Sequence, residues 1–542
     1  MKILSFLLSA IVIISSTVIA LPQSVAEYDL VITNARIIDG TGNPWFRGSI
    51  AIKDGKIVKV GRFYGANGNM MSVDDAAELI VAGKVLDAHN QIVAPGFIDV
   101  HTHVEDIFGN PSAENFVRMG VTSLITGNCG GSATDIGEFL GHFKEKPLAV
   151  NLATLIAHGS VRAKAMGLDD RAPTAEEQAK MDAIVEQGMK DGAVGLSTGL
   201  IYVPGTFAKT EEVVELAKVA SRYGGIYASH IRNEEAHVVD AINEAINIGE
   251  QAKMPVEISH FKISAKALWS KSPMTIGLVK AARDRGLTVT VDQYAYTASS
   301  TSLDSRLPNW VLAGGRAEGK KRVADPAMRM KIFDEMKKEL KDRGFKDYSY
   351  AYVASYRANP EFNGKNIAEI TKQVRGKQKL DEQIEQILEM YDKGGASMVY
   401  RSMSEGDVQN IMREPFTMIA SDSGVREFGA GVPHPRGYGN NARVLGHYVR
   451  ELKIITLEDA IRKMTSLPAQ TFNLRDRGQI REGFAADIVI FDETKIADKA
   501  TFEQPHQYAE GFTTVIVNGK IVFDGSKMTG AMPGQPLRLS NR

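Results

Sequence analysis

Cysteine is almost absent: Cys129 is the only one in 542 residues. A disulfide within the chain is therefore excluded, and no cysteine lies near the N-terminus for lipid attachment. Charge of either sign is not in excess, with 64 lysines and arginines against 65 aspartates and glutamates. That balance excludes a nucleic-acid footprint and a polybasic membrane patch. After the first twenty residues no apolar run is long enough to span a bilayer.

The N-terminus holds the one long apolar stretch, "MKILSFLLSAIVIISSTVIA". A lysine at position 2, an apolar run from Ile3 to Ala20 and small residues before Ala20 and Ala26 read as an export signal over residues 1–26. An uncleaved anchor is the rival reading, but Ser5, Ser9, Ser15, Ser16 and Thr17 break the run and favour the signal. The expectation is an exported protein, periplasmic or secreted, with no stable membrane association after cleavage. About 515 residues then remain, enough for two or more domains. The sequence sets no oligomeric state.

Residues 28–61 alternate apolar and polar side chains between the turn-forming stretches "DGTG" and "KDGK". Near the other end, "ADIVIFD" and "TTVIVNGKIVFDG" read as strands, the latter a hairpin around Asn518 and Gly519. The two ends, residues 27–90 and 471–542, are expected to build one small β-sandwich. Between them, over residues 91–470, short apolar runs alternate with helical patterns. Eight runs qualify as core strands: 97–100, 121–126, 148–154, 193–197, 226–229, 256–259, 287–291 and 416–420. Thr174 and Glu177 stand at capping-box spacing ahead of a helix. Eight such units imply an α/β fold of the (β/α)8 TIM-barrel type. Residues 314–400, rich in charge, read as a mainly helical insertion.

In a barrel, chemistry gathers at the C-terminal ends of the strands. Here those ends carry His101 and His103, then Cys129, His230, His260 and Asp422. Alternation puts His101 and His103 on one face, with Asp99 pointing the same way. A lone histidine is more often a hydrogen-bonded core residue, and a lone cysteine more often inert. Several converging on one cavity reverse that reading. A thiolate is a strong, soft zinc ligand. Cys129, His230 and His260 would make one tight site with an open position, the pattern of catalytic zinc. His101 and His103 would hold a second, weaker metal or complete the first site. Asp422 is placed to move a proton, its plain alternative being a helix N-cap in "ASDSG".

The stretches "VAPGFIDVHTH", "GVTSLITGNCG", "GLSTGLIYVPG", "YASHIRNE", "ISHFK", "YAYTASSTSLDSRLPNW", "ASDSG" and "HPRGYGNNARVLGHYVRE" resemble the amidohydrolase superfamily, specifically its D-aminoacylase (N-acyl-D-amino-acid deacylase) group. The resemblance runs from about residue 28 to about residue 525. It implies a metal-dependent barrel with a β-sandwich from both termini, acting on amide bonds other than peptide bonds. It assigns zinc to Cys129, His230 and His260, a weaker position to His101 and His103, and the general acid/base role to Asp422. It also implies a small-molecule substrate with a free carboxylate, held by Lys262, Tyr294, Ser300 and Arg436, with Tyr202 lining the pocket. Related dihydroorotases and hydantoinases use a carboxylated lysine, and none stands near "GLSTGLIY".

Two stretches depart from the family pattern. The loop "DSGVREFGAGVPH" adds Arg426 and Glu427, and "SLDSRLPNW" places Arg306 where many relatives have an apolar residue. Arg306 then either recognises a second, acidic group on the substrate or pairs with Asp304. The leading expectation is zinc-dependent hydrolysis of N-acyl-D-amino acids to a carboxylate and a free D-amino acid. The alternatives are a cyclic-amide or dipeptide hydrolase of the same superfamily, and a non-catalytic extracytoplasmic zinc- or ligand-binding protein.

Overall fold

The computed structural model describes residues 28–61 and 84–539; the expected export signal lies outside the described residues. Among those described, no helix is long and apolar enough to cross a membrane.

Each of the eight apolar runs carries a strand, and the strands pair in parallel. Phe97–Asp99 pairs with Val121–Thr126, which pairs with Asn151–Thr154. The third strand is interrupted at Leu155 and resumes as Ile156–Ala157, which pairs with Gly195–Gly199. The order continues through Ile226–His230, Val256–Ile258 and Val289–Gln293 to Thr417–Ile419. Alternation along each strand sorts the side chains. Ile98, Ile125, Ala153, Ala228 and Met418 form one apolar cluster. Their neighbours Phe97, Leu124, Leu152, Tyr227 and Ile419 join the larger cluster against the helices. The helix Ala175–Lys190 starts with the capping box of Thr174 and Glu177. Thr210–Arg222 stops before Gly224, whose φ of 78° only glycine adopts without strain.

Closure between the eighth and first strands uses a side chain. Asp99 Oδ1 accepts from the backbone N–H of Ser421 at 3.0 Å and from that of His101 at 3.2 Å. Beyond it, Asp422 N–H donates to His101 O and His103 N–H to Ser423 O, both at 2.9 Å. Asp99 is thus a buried seam residue and does not face the metal cavity with the two histidines. Burial lifts its carboxyl to about 6 despite the Ser421 and His101 hydrogen bonds.

The segment 314–400 is helical over Arg316–Ala324, Pro326–Asp342, Ile367–Arg375 and Leu380–Asp392. It also supplies two strands of an antiparallel sheet, Ala351–Ser355 and Ser397–Tyr400, the latter pairing with Ser299–Ser302. The inserted unit therefore begins earlier than the charge run suggests. Its first strand, "SSTS", has no apolar face to announce it. Ile332, Met336, Leu340, Ile384, Ile387 and Tyr391 give it a core of its own.

The β domain is one continuous eight-stranded sheet drawn from both ends of the chain. Leu30–Ile37 pairs with Phe46–Lys53 and, through Arg36 and Ile37, with Ile92–Pro95. Ile488–Phe491 then continues the sheet antiparallel to Ile92–Pro95. The hairpin between Phe512–Val517 and Lys520–Phe523 turns on Asn518 and Gly519, both at positive φ.

Asp99→Ala leaves the Ser421 and His101 N–H groups buried without acceptors and is expected to lower unfolding free energy by about 1–3 kcal/mol, measured by denaturant titration. Asp99→Asn keeps an acceptor oxygen and is expected to lose less.

Candidate active site

Three residues at the barrel mouth, Cys129, His260 and Asp422, hold φ values of 52°, 38° and 51°. None is a glycine, so each carries backbone strain that the surrounding fold must offset. The thiol loop also needs close approach to the fourth strand: a Cβ on Gly199 would lie 2.0 Å from Cys129 O.

The side chains so aimed meet. Cys129 Sγ lies 3.2 Å from His101 Nε2 and 3.5 Å from both His230 Nδ1 and His260 Nε2. His260 Nε2 lies 2.7 Å from His230 Nδ1. Three overlapping groups have ligand atoms within 4.8 Å of one another: His101, His103 and Cys129; Cys129, His230 and His260; His101, His260 and Asp422. All five residues expected to bind metal, and Asp422, therefore converge. Burial alone would push the Cys129 thiol up, but His101 and His260 outweigh it and hold it well below its usual range, as thiolate. A thiolate and two imidazoles, their lone pairs facing one point, fit zinc.

Residues that the sequence analysis left without a role hold these donors in place. Asp292 Oδ2 lies 3.1 Å from His101 Nδ1, and its Oδ1 accepts from His260 N–H at 2.9 Å. A carboxylate at Nδ1 leaves Nε2 as the coordinating atom. Asp292 is the penultimate residue of the seventh strand, and an acid in that place is the signal that could have found it. Glu234 Oε1 lies 3.0 Å from His260 Nδ1 and pairs with Lys262. Burial opposes its charge, but Lys262 and His260 prevail and hold the carboxyl well below the usual range.

Asp422 Oδ1 lies 3.2 Å from His103 Nε2, and its Oδ2 lies 2.8 Å from Arg436 Nη1. Burial would raise this carboxyl, but Arg436 and His103 keep it well below its usual range. It is ionised and faces the metal donors.

The site opens into a cavity of about 310 Å³ whose wall includes Tyr202, Lys262, Ser300, Arg306, Arg343 and Asp422. Of the expected substrate contacts, Lys262 is buried against Glu234, and Tyr202 shares a hydrogen bond with Thr301 at 3.0 Å. Ser300 donates to Met398 O at 2.8 Å. Tyr294 is not on the wall: it is buried beneath Arg436, whose guanidinium lies 4.5 Å from its ring centre, and its hydroxyl points at Met403. Arg436 faces a neighbouring cavity and is matched by Asp422. Arg306 does not pair with Asp304, which takes Arg316 at 2.5 Å. It lies 3.7 Å from Glu235 and 3.5 Å from Glu339. Arg343, from the charge-rich insertion, shares the same two glutamates.

Amidohydrolase family models match residues 92–291 and 386–523, the second beginning within the last inserted helix. A D-aminoacylase from Alcaligenes xylosoxydans xylosoxydans is 33% identical over 534 residues, covering 94% of this chain and 97% of the relative. The chain belongs to the amidohydrolase family, in its D-aminoacylase group. The N-acyl-D-glutamate deacylase of Bordetella bronchiseptica, solved with zinc and a phosphonate mimic of the tetrahedral intermediate, is 31% identical with a TM-score of 0.79. That match covers 95% of this chain and all of that one. A D-aminoacylase studied for its binuclear metal centre has a TM-score of 0.78 at 31% identity, covering 94% of this chain and all of its own. This amidohydrolase shares with that group a fold and a length, so its strand-end donors are read in the frame of a metal-dependent hydrolase of carbon–nitrogen bonds.

If Cys129 anchors the ion, Cys129→Ser is expected to retain less than about a tenth of the zinc bound by the parent protein, measured by elemental analysis after dialysis. Equal zinc in both proteins would remove the thiolate from the ligand set.

Proposed function

We propose that this amidohydrolase hydrolyses the amide bond of N-acyl-D-amino acids with acidic side chains, and that it works outside the cytoplasm. The observation that carries the reading is Asp422: one carboxylate oxygen faces the His101 and His260 donors while Arg436 clamps the other. A binding protein has no use for an ionised, oriented carboxylate at that point. The D configuration and the amide chemistry rest on the named activities of the relatives.

Cys129, His230 and His260 would hold zinc, with His101 and His103 offering a second, weaker position. Bound zinc supplies Lewis acidity toward a carbonyl oxygen and lowers the pKa of water, to about 7 in favourable sites. Asp422 takes one proton from the attacking water as its oxygen bonds to the acyl carbon. The same residue returns the proton to nitrogen as the carbon–nitrogen bond breaks. Arg436 keeps Asp422 ionised before the water attacks and turned inward through both steps. The fourth strand, Gly195–Gly199, holds no lysine of the kind that the resemblance implies for the cyclic-amide hydrolases, which disfavours that alternative.

The wall opposite zinc selects the amino acid. Burial raises the Glu339 carboxyl to about 7 against the pull of Arg306, and burial also raises Glu235. Arg306 and Arg343 line the cavity and offer guanidinium donors to a substrate carboxylate. Lys262 and the Ser300 hydroxyl stand on the same wall toward the α-carboxylate.

Asp422→Asn is expected to lower kcat by about 10³-fold or more while zinc content stays at the parent level. Retained turnover would refute its role. Arg306→Met is expected to lower kcat/KM for N-acetyl-D-glutamate about 100-fold and to shift the ratio toward N-acetyl-D-methionine by at least as much, measured by release of free amino acid. An unmoved ratio would assign Arg306 to the structure of the wall alone.

A further inference from the structure

A second cavity, about 780 Å³, meets the first at His103, Ser300, Thr301 and Asp422. An amide held at Asp422 would span this junction. With the amino-acid half in the first cavity beside Lys262 and Arg306, the acyl half would pass Asp422 into the second.

The lining of this second cavity is polar and cationic. It includes Ser302, Ser355 and Ser397, and only Val425 and Ala396 are aliphatic. A hydrocarbon acyl chain would bury little apolar surface there. Five lysine and arginine side chains face three carboxylates. Three of the five are matched: Arg316 by Asp304, Lys393 by Glu389 and Arg436 by Asp422. Arg357 and Arg426 have no ion-pair partner among the described residues. Arg357 is exposed, whereas Arg426 is partly buried with Nε 3.3 Å from Ser423 Oγ. Asp106, the remaining acid of the lining, is exposed and near enough to Arg426 to favour its charge without forming an ion pair.

Arg426 is held where it stands. Its backbone N–H donates to Asn115 Oδ1 at 3.2 Å. Phe428, two residues on, packs 5.0 Å from the Tyr508 ring and 5.5 Å from the His506 ring. Gly429 N–H donates to His506 at 3.1 Å, and Val432 N–H to Ala354 O at 2.8 Å. The loop thus fixes a guanidinium that makes no direct ion pair among the described residues. Burial and the nearby Arg436 disfavour its charge, and Asp422 and Asp106 offset them only in part, so an incoming anion would add to that support.

We propose that the second cavity is the acyl subsite and takes an ω-carboxyacyl group, of the succinyl or glutaryl class, with Arg426 as counter-ion to its terminal carboxylate. The proposal rests on the deacylase reading above. Hydrolysis would release a dicarboxylate and the free amino acid, with no further reactant than water.

The test compares N-acetyl-, N-butanoyl- and N-succinyl-D-glutamate with the zinc-loaded full chain. Butanoyl matches succinyl in length without the charge. The expected result is a kcat/KM for the succinyl substrate about tenfold or more above the butanoyl one, carried mainly by KM. Arg426→Met should erase that preference, and Arg426→Lys should restore part of it. Arg357→Met, at an exposed position, gives a second variant with a smaller loss of preference. Equal or better turnover of the butanoyl substrate by the parent protein overturns the proposal, as does a preference that survives Arg426→Met. Turnover of N-acetyl-D-glutamate without a succinyl preference overturns this inference alone. No turnover of any of the three overturns the deacylase reading and this inference with it.

Discussion

The barrel mouth depends on one costly arrangement: five metal-donor side chains and a carboxylate held within a few ångströms of one another, most of them presenting lone pairs to the same point. In water such groups would part, and partnered counter-groups behind three of them oppose it. Asp292 stands behind His101, Glu234 behind His260 and Arg436 behind Asp422. The backbone adds its share through left-handed conformations at Cys129, His260 and Asp422. Such strain persists only where the surrounding structure over-determines it, and here the surrounding structure is a closed barrel.

The seam of that barrel explains how Asp422 comes to face inward. The eighth strand ends at Ile419, before the catalytic loop begins. A regular ladder continued to residue 422 would alternate its side chains in and out on strand geometry alone. Instead the Asp99 carboxylate caps the Ser421 N–H, and the chain turns within two residues. The same carboxylate fixes the His101 N–H, so one buried acid sets the first strand's histidine pair and the last strand's acid in common register. A group held near pKa 6 by burial does this whether or not it carries a proton, because a carboxyl oxygen accepts in either state.

The donors were legible in the sequence because each follows a short apolar run, and a run of that kind ends at the barrel mouth. His230 and His260 stand out for this reason. What stands behind them was less legible. Asp292 and Glu234 act through the donors they hold, and a lone acid after a strand looks like any polar residue until its partner is known. Asp99 was misplaced because alternation gives the face of a side chain but not the hydrogen-bond donor waiting there. Tyr294 was taken for a carboxylate contact, yet a ring with a cation 4.5 Å above it is a platform. The inserted sheet escaped notice because "SSTS" draws its pairing from Ser397–Tyr400 and carries no hydrophobic signature of its own.

The inserted unit also shows how a charge run can be more than a solvated face. Arg306 and Arg343 are almost fully buried and share Glu235 and Glu339. Removing Arg306, Arg343 and Glu235 from water is expensive, and well-packed apolar residues would often stabilise such a wall as well or better. Stability therefore gives no reason to keep these charges beside a cavity. Recognition does, because a buried guanidinium whose glutamate partner drifts toward the neutral form remains available to a carboxylate that arrives from outside. The barrel carries the reaction on strand ends that the amidohydrolase group has in common. The insertion, folding on its own core, places side chains of its own choosing against the substrate, so that selectivity can change without disturbing the donors at the mouth.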